Sequence, residues 1–151
     1  MSTAHELVLR TCQGPAEWPE LVRIWRSAVE ATHDFLTPID VDFYEDRLAN
    51  DYLKLVDVTV AVADGAPVGF SGVAVGNLEM FFVVQQHRGR GAGSILLRDA
   101  MAKHPGLLID VNEQNPQAVG FYHHHGFVTL RRSETDADGR PFPILHLGPA
   151  V

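Results

Sequence analysis

A glycine-rich run, Arg88-Gly89-Arg90-Gly91-Ala92-Gly93, is the segment whose residue types and spacing most clearly indicate chemistry. It lies between a predicted strand and a predicted helix. Glycines let main-chain N–H groups approach a ligand without interference from Cβ atoms, and a helix start adds unpaired donors and a positive dipole end. The loop is therefore predicted to hold an anion such as a pyrophosphate, with further contacts from Arg88 and Arg90.

Two other phosphate-binding motifs share features with this loop. A P-loop is excluded, because no Gly-Lys-Ser or Gly-Lys-Thr follows the glycines. A dinucleotide-binding GxGxxG needs a small closing residue, and Ser94 stands at that position, but the preceding half of the chain lacks the required βαβ order. A nucleotide-binding protein that uses the same loop remains an alternative.

Metal and thiol chemistry are not expected. Cys12 is the only cysteine, so an intramolecular disulfide and a CxxC site are both excluded. The run His123-His124-His125 is conspicuous, but adjacent helical positions point in different directions and cannot all ligate one metal ion. We interpret this run as a solvated helix end and predict no metal.

The elements that must position these residues follow from hydrophobic periodicity. The predicted strands are His5–Cys12, Val56–Ala63, Val68–Val75, Leu78–Val84, Leu107–Val111, Phe127–Ser133 and Phe142–Leu147. The predicted helices are Ala16–Ala31, Val41–Leu55, a segment with its first apolar residue at Ile95 and its end at His104-Pro105-Gly106, and Asn115–His125. Asp64-Gly65 and Asp138-Gly139 predict hairpin turns. This order indicates one α+β or mixed α/β domain built around a single sheet.

Composition restricts the class of protein. The 151 residues are 46% hydrophobic and 21% charged, which is typical of a soluble globular domain. The net charge of −7 argues against nucleic-acid binding, which needs a basic surface. No apolar run approaches the length of about 18 residues that crosses a bilayer, and Met1–Arg10 lacks the hydrophobic stretch of a signal peptide. We expect a cytoplasmic protein without a membrane partner.

Two motifs together resemble the GNAT superfamily of acetyl-coenzyme A (acetyl-CoA) dependent N-acetyltransferases. Arg88, Gly91 and Gly93 match the pyrophosphate loop of that family, after the fourth strand and opening the third helix. The second motif has an asparagine, an alanine three residues later, an aromatic pair and a Gly-Phe pair: Asn115, Ala118, Phe121-Tyr122 and Gly126-Phe127. Three further segments resemble the YjaB-type subgroup: residues 31–36, 111–115 and 139–143.

The resemblance implies a mostly antiparallel, twisted sheet of about seven strands, flanked by about four helices. It implies an acyltransferase in which a primary amine on a small molecule or peptide attacks acetyl-CoA directly in a ternary complex, without a metal. The thioester is expected where the fourth strand and the Leu107–Val111 strand splay apart, with the N–H of Val83 or Val84 donating to the acetyl oxygen. The expected acetyl-CoA contacts are Val83, Val84, Arg88, Gly89, Arg90, Gly91, Ala92, Gly93, Ser94, Asn115 and Tyr122.

Tyr122 matches the tyrosine that acts as general acid beside the cofactor sulfur in this family. Its reference pKa of about 10 exceeds the thiol value of about 8.5, so it stays protonated and able to supply a proton to the leaving thiolate. The alternative is an aromatic residue that only packs beside Phe121. Asn115 is expected both to cap the helix that follows and to contact the pantetheine arm.

The general base has three candidates. Glu79 lies on the fourth strand, where many family members carry an acidic base, and strand alternation groups it with Phe81 and Val83 on one face. His33 lies in the loop between the first two helices, and an unperturbed imidazole titrates near neutral pH. A water relay is equally admissible.

The acceptor cannot be read from this sequence, because the family acetylates protein termini, lysines, antibiotics, polyamines and metabolites. An acidic group near the first two helices is either an attraction for a cationic acceptor or an ordinary surface: Asp34, Asp40, Asp42, Glu45 and Asp46. A non-catalytic acyl-CoA binding or sensor domain is the alternative function. Packing through the final strands is compatible with a homodimer.

Overall fold

The apolar periodicity of the chain produces seven strands and four helices within residues 7–32, 34–87, 89 and 91–150, which a computed structural model describes. The strands are β1 (Leu7–Thr11), β2 (Asp57–Ala63), β3 (Ala66–Ala74), β4 (Asn77–Val83), β5 (Leu108–Asn112), β6 (Phe127–Ser133) and β7 (Ile144–Pro149). The helices are α1 (Trp18–Thr32), α2 (Pro38–Arg47), α3 (Ala92–Lys103) and α4 (Pro116–His124).

The strands form one sheet in the order β1-β2-β3-β4-β5-β7-β6. Strands β4 and β5 are parallel, and the other neighbouring pairs are antiparallel. The predicted α+β fold, with a mostly antiparallel sheet of seven strands and four helices, is therefore confirmed.

Two apolar clusters hold the helices against the sheet. In the first, α1 buries Leu21, Ile24 and Trp25 at helical spacing, as expected of an amphipathic helix. In the second, Leu97 of α3 packs with Ile109 of β5, and both are fully buried. Complete burial of each such side chain stabilises the fold by about 1.5 to 3 kcal/mol. No helix in the described part of the chain is long and apolar enough to span a membrane.

The second helix differs from its predicted range, Val41–Leu55. It begins at Pro38, because Thr37 and Asp40 form a reciprocal capping box and proline fits the first helical position. It ends at Arg47 and continues as a π-helical turn over Leu48–Tyr52 and a 3-10 turn over Leu53–Leu55. The wider π turn brings Leu48 and Leu53, five residues apart, into the core together.

The last strand was predicted to begin at Phe142, but it begins at Ile144. Pro143 has no N–H to donate to a ladder, and the Phe142 ring instead packs on Phe35 with centroids 5.8 Å apart. The chain does turn at the predicted Asp138-Gly139, where Gly139 has φ +74° and its N–H donates to the carbonyl oxygen of Asp136 at 3.0 Å. Residues 134–143, which we call the β6–β7 loop, connect the two strands.

Candidate active site

The site forms where β4 and β5 separate. The two parallel strands pair only at Asn77 with Leu108 and at Leu78 with Ile109. Beyond these pairs the strands diverge, which confirms the expected splay. A cavity of about 910 Å³ occupies this region and extends from the glycine loop to the β6–β7 loop.

Strand β4 also contains a β-bulge. Met80 pairs with Gly72 of β3 and Leu78 pairs with Val73, so Glu79 is an extra residue without an opposite partner. Strict alternation is therefore interrupted at Glu79, so the predicted grouping of Glu79 with Phe81 and Val83 on one face stays a prediction. All three residues line the cavity. Glu79 is exposed and lines the cavity at the point where the strands diverge.

The register of β4 decides which main-chain donors face the gap. The N–H of Val84 donates to the carbonyl oxygen of Val68 at 2.8 Å, so Val84 is not a free donor to an acetyl oxygen. Hydrogen-bonded pairs alternate in an antiparallel ladder, so the N–H groups of Val83 and Phe81 point away from β3, towards the gap. The N–H of Val83 therefore faces the gap as expected, and the N–H of Phe81 also faces it, which sequence reasoning missed.

The glycine loop has the backbone shape that a phosphate cradle needs. Gly89 has φ +78° and Gly91 has φ +89°, a left-handed region that glycine adopts without a steric penalty. Gly91 caps α3, and the carbonyl oxygen of Gly91 accepts the N–H of Ile95 at 3.1 Å. Apart from its own chain neighbours, a Cβ on either glycine would meet no atom of the described residues within 4 Å, so this space is open to a ligand.

The other expected members of the loop divide into three groups. Gly93 and Ser94 line the cavity with Gly89 and Gly91, and Ser94 Oγ lies 3.3 Å from Nε2 of His125. The side chain of Ala92 is buried in the core and does not line the cavity. The predicted contacts from Arg88 and Arg90 lie outside the described residues. Glycine φ angles and open space together fit the pyrophosphate of acetyl-CoA.

Tyr122 and Asn115 line the same cavity from α4 and its N-terminus. Tyr122 is 4% exposed, and burial raises the pKa of its hydroxyl above the ordinary value. Asn115 caps α4 as predicted, because its Oδ1 accepts the N–H of Ala118 at 3.3 Å. The two residues come together with Val83 and the glycine loop at one cavity.

The two base candidates have different outcomes. Partial desolvation of the Glu79 carboxylate where it lines the cavity, together with the negative charge of Asp110, raises the pKa of Glu79. His33 lies outside the described residues.

Among the residues described, no group of three or more His, Cys, Asp or Glu side chains is arranged to hold a metal ion. In the histidine run, His123 lies near Thr129, 3.4 Å from its hydroxyl, whereas His125 lies near Ser94.

Sequence reasoning missed the polar groups at the far end of the cavity. Asp110 and His146 lie side by side on β5 and β7 and line the cavity. Each is a polar residue inside an otherwise apolar strand, in Leu-Ile-Asp-Val and Ile-Leu-His-Leu, and that pattern was the available signal. The β6–β7 loop adds Asp136 and Asp138, which accept hydrogen bonds from the hydroxyls of Tyr44 and Tyr52.

The divergent strands, the glycine loop and the buried tyrosine define an acyltransferase site, and the chain belongs to the acetyltransferase (GNAT) domain family, which matches residues 55–129. It is similar to peptidyl-lysine N-acetyltransferase YjaB of Salmonella typhimurium, with 42% identity over 132 residues that cover 87% of this chain and 90% of that protein. The solution structure of apo YjaB from Escherichia coli has a TM-score of 0.88 and 38% identity, covering 96% of this chain and 99% of that one.

A more distant structure shares the fold. PaiA N-acetyltransferase from Thermoplasma acidophilum, solved in complex with coenzyme A, has a TM-score of 0.71 and 17% identity, covering 93% of this chain and 98% of that one. The family and these relatives make the chain an N-acetyltransferase that uses acetyl-CoA. They favour an enzyme over the sensor and nucleotide-binding alternatives.

Proposed function

We propose that the acceptor is the ε-amino group of a lysine side chain in a protein. The observation that carries this proposal is the composition of the cavity beyond the β4–β5 gap. Carboxylates and aromatic rings line that end: Glu79, Asp110, Asp136, Asp138, Tyr44, Tyr52 and Phe142. Aromatic walls accept the methylene groups of a lysine, and carboxylates attract its ammonium group. The names of the YjaB relatives, which specify peptidyl-lysine, support the same acceptor.

In the proposed reaction the neutral amine attacks the acetyl carbonyl carbon directly in a ternary complex. The N–H of Val83 stabilises the negative charge that develops on the acetyl oxygen. Tyr122 donates a proton to the departing thiolate, and the raised pKa of its buried hydroxyl keeps it protonated throughout the working pH range. Each group lines the same cavity, which supports these roles.

We propose that acetyl-CoA is bound mainly by main-chain N–H groups of the glycine loop. Gly89, Gly91 and Gly93 would contact the pyrophosphate, with Ser94 at the same helix start. Asn115 would contact the pantetheine arm, since its capping role occupies one side-chain oxygen and leaves the amide N–H groups available. Contacts from Arg88 and Arg90 stay predictions.

Glu79 and His33 remain candidates for assisting deprotonation of the amine. The position of Glu79 beside Asp110, at the start of the gap, supports a role in receiving the ammonium form of the acceptor. A Glu79→Gln variant would then raise the KM for a lysine peptide. His33→Ala separates the contribution of the histidine.

The experiment that tests the acceptor uses three peptides of one sequence. The first has a blocked N-terminus and a single lysine, the second replaces that lysine by arginine, and the third keeps the arginine but has a free N-terminus. Mass spectrometry after incubation with acetyl-CoA should show one acetyl group on the first peptide alone. Acetylation of only the third peptide would transfer the activity to N-terminal amines and refute the lysine proposal.

Location and assembly also remain proposals. We propose a cytoplasmic enzyme, which the single cysteine supports, because a chain with one thiol does not use an oxidising compartment for intramolecular disulfides. We propose a homodimer through β6, an edge strand that exposes Val128 and Leu130. Sedimentation equilibrium should give twice the chain mass, and a monomer at high concentration would refute the dimer.

A further inference from the structure

Three polar side chains form a continuous chain of hydrogen bonds across β5, β7 and β6. Nδ1 of His146 lies 2.6 Å from Oδ1 of Asp110, and Nε2 of His146 lies 2.7 Å from Oγ of Ser133. The second carboxylate oxygen of Asp110 accepts the side-chain N–H of Asn77 at 3.1 Å. The imidazole is therefore held at both nitrogens, and the carboxylate that holds it is itself positioned.

This geometry determines where the protons lie when the histidine is neutral. An ionised carboxylate can only accept, so Nδ1 carries the hydrogen and donates it to Asp110. Nε2 is then the basic nitrogen, and it accepts the hydroxyl hydrogen of Ser133. The lone pairs of Ser133 Oγ are then left to accept a hydrogen from a ligand in the cavity.

The chain of hydrogen bonds lies at the start of the β4–β5 gap. Asp110 directly follows Ile109, the last residue of β5 that pairs with β4. Asp110, Ser133 and His146 line the same cavity as Tyr122. The side chain of His146 is 18% exposed, so it is open to the cavity without being freely solvated.

We propose that Ser133, His146 and Asp110 form a proton relay that accepts the proton of the attacking amine. The amine nitrogen forms a bond to the acetyl carbon and loses a hydrogen to Ser133 Oγ as the Ser133 hydroxyl hydrogen passes to Nε2 of His146. The carbon–sulfur bond breaks, and the thiolate takes the proton of Tyr122. His146 returns its proton to solvent, and Tyr122 regains one, so the protons balance.

An imidazole suits this step better than the neighbouring carboxylates. A general base works best with a pKa near the working pH, and an ordinary histidine lies closer to it than an ordinary carboxylate. Among the described residues, the charged side chains that face His146 are Glu79 on β4, Asp110 on β5 and Arg131 on β6. Asp110 is the one in contact, and its negative charge stabilises the imidazolium that the reaction produces.

The decisive measurement is the pH dependence of kcat/KM. The relay base and a lysine amine with a pKa of about 10 must both be neutral, so log kcat/KM should rise with pH first with a slope of two and then, after a break, with a slope of one. His146→Gln should remove this break and lower the single-turnover rate by about a hundredfold to ten-thousandfold. His104→Gln is the matched control and should keep the break, because His104 does not line this cavity.

Two more variants separate a relay from a purely structural contact. Asp110→Asn should keep the break but move it to lower pH, because the imidazolium loses its negative partner. Ser133→Ala should lower the rate and leave the break at its wild-type position, because the contact of His146 with Asp110 is unchanged. A break at the same pH in wild-type and Asp110→Asn enzyme would overturn the assignment, as would a His146→Gln profile that keeps it.

The relay rests on the proposed acetylation of an amine but not on lysine as the acceptor. The measurements therefore use whichever amine of a panel the wild-type enzyme acetylates, from lysine peptides to simple polyamines. Acetylation of a polyamine alone would overturn the lysine proposal, and the His146→Gln profile with that polyamine would still decide the relay. A wild-type enzyme that acetylates no amine in the panel would overturn both.

Discussion

At the scale of single residues, the surroundings of Tyr122 explain why one hydroxyl can be tested on its own. The ring packs against Phe81, Phe121 and Phe127, with centroids 5.8, 5.6 and 6.5 Å away. These contacts hold the ring independently of its oxygen. Removing the hydroxyl should therefore leave the position of the ring unchanged.

Tyr122→Phe should lower the single-turnover rate of acetyl transfer by about a hundredfold to ten-thousandfold, the usual effect of losing a general acid. Affinity for coenzyme A should stay within about twofold, because the ring contacts persist. Rapid-quench kinetics and calorimetry measure the two quantities. A wild-type single-turnover rate in the variant would make Tyr122 a packing residue.

Glu17 is a residue with a stability role that pH can reveal. Its Oε1 accepts hydrogen bonds from Arg10 and from the N–H of Gln13, both at 2.9 Å. The Arg10 hydrogen bond is the main cause that lowers the pKa of Glu17 from 4.5 to about 2. Because the folded-state pKa is depressed, the stabilisation is complete above the unfolded-state pKa and is lost as pH falls through about 2.

Glu17→Gln should lower the free energy of unfolding at pH 7 by roughly 2 to 3 kcal/mol, and the difference from wild type should shrink between pH 5 and pH 2. Urea unfolding across this range measures it. Glu20→Gln, on an exposed pair with Arg23, is the control and should change stability by less than about 1 kcal/mol. A pH-independent difference for Glu17→Gln would contradict the linkage.

At the scale of elements, short-range sequence patterns predicted the features that depend on neighbouring residues. They did not predict the features that depend on which strands pair. The glycine loop, the Asn115 cap and the aromatic pair on α4 are short-range patterns, so the sequence located them correctly. The bulge at Glu79 depends on how β4 pairs with β3, and alternation within β4 alone cannot reveal it. The contact of Asp110 with His146 likewise requires β7 to insert between β5 and β6.

Gly91→Val tests the loop as an element. Valine at φ +89° is strained, and its side chain enters the open space where a pyrophosphate would lie. The dissociation constant for coenzyme A should rise at least tenfold in calorimetry. Gly65→Val has a similar φ of +83° and equally open space, but it lies in the β2–β3 turn, away from the cavity. This control should lose stability without losing coenzyme A affinity, and equal losses of affinity in both variants would contradict the cradle.

At the scale of the whole molecule, hydrogen bonds and ion pairs connect the β6–β7 loop to the α2 region, some ninety residues earlier in the chain. Asp138 accepts hydrogen bonds from Arg47 at 2.7 Å and from Tyr52, and Arg140 pairs with Asp40. The acidic group predicted near the first helices is thus partly neutralised by internal partners, and Arg26 pairs with both Asp42 and Glu45. No local pattern in the sequence predicts these contacts, because the residues that make them are so far apart in the sequence.

The α2 region and the β6–β7 loop therefore together line the end of the cavity that we propose binds the acceptor, which we call the acceptor end. The Asp138 side chain is 12% exposed, so Asp138→Asn removes a charge from a half-enclosed pair with Arg47. The loss should lower the free energy of unfolding by roughly 1 to 3 kcal/mol and loosen the loop that lines the acceptor end. The acceptor KM should then rise several-fold, while coenzyme A affinity stays unchanged, because the glycine loop lies at the other end of the cavity.

Steady-state kinetics with a lysine peptide and calorimetry with coenzyme A measure the two effects separately. Glu134→Gln is the matched control, since Glu134 belongs to the same loop, is 86% exposed and pairs only across the surface with Arg132 in the contacts described. It should leave both the acceptor KM and the stability near wild type. An Asp138→Asn enzyme that loses stability but keeps the wild-type acceptor KM would show that the loop supports the fold without shaping the acceptor end. A parallel loss of coenzyme A affinity would show that the two ends of the cavity are not independent.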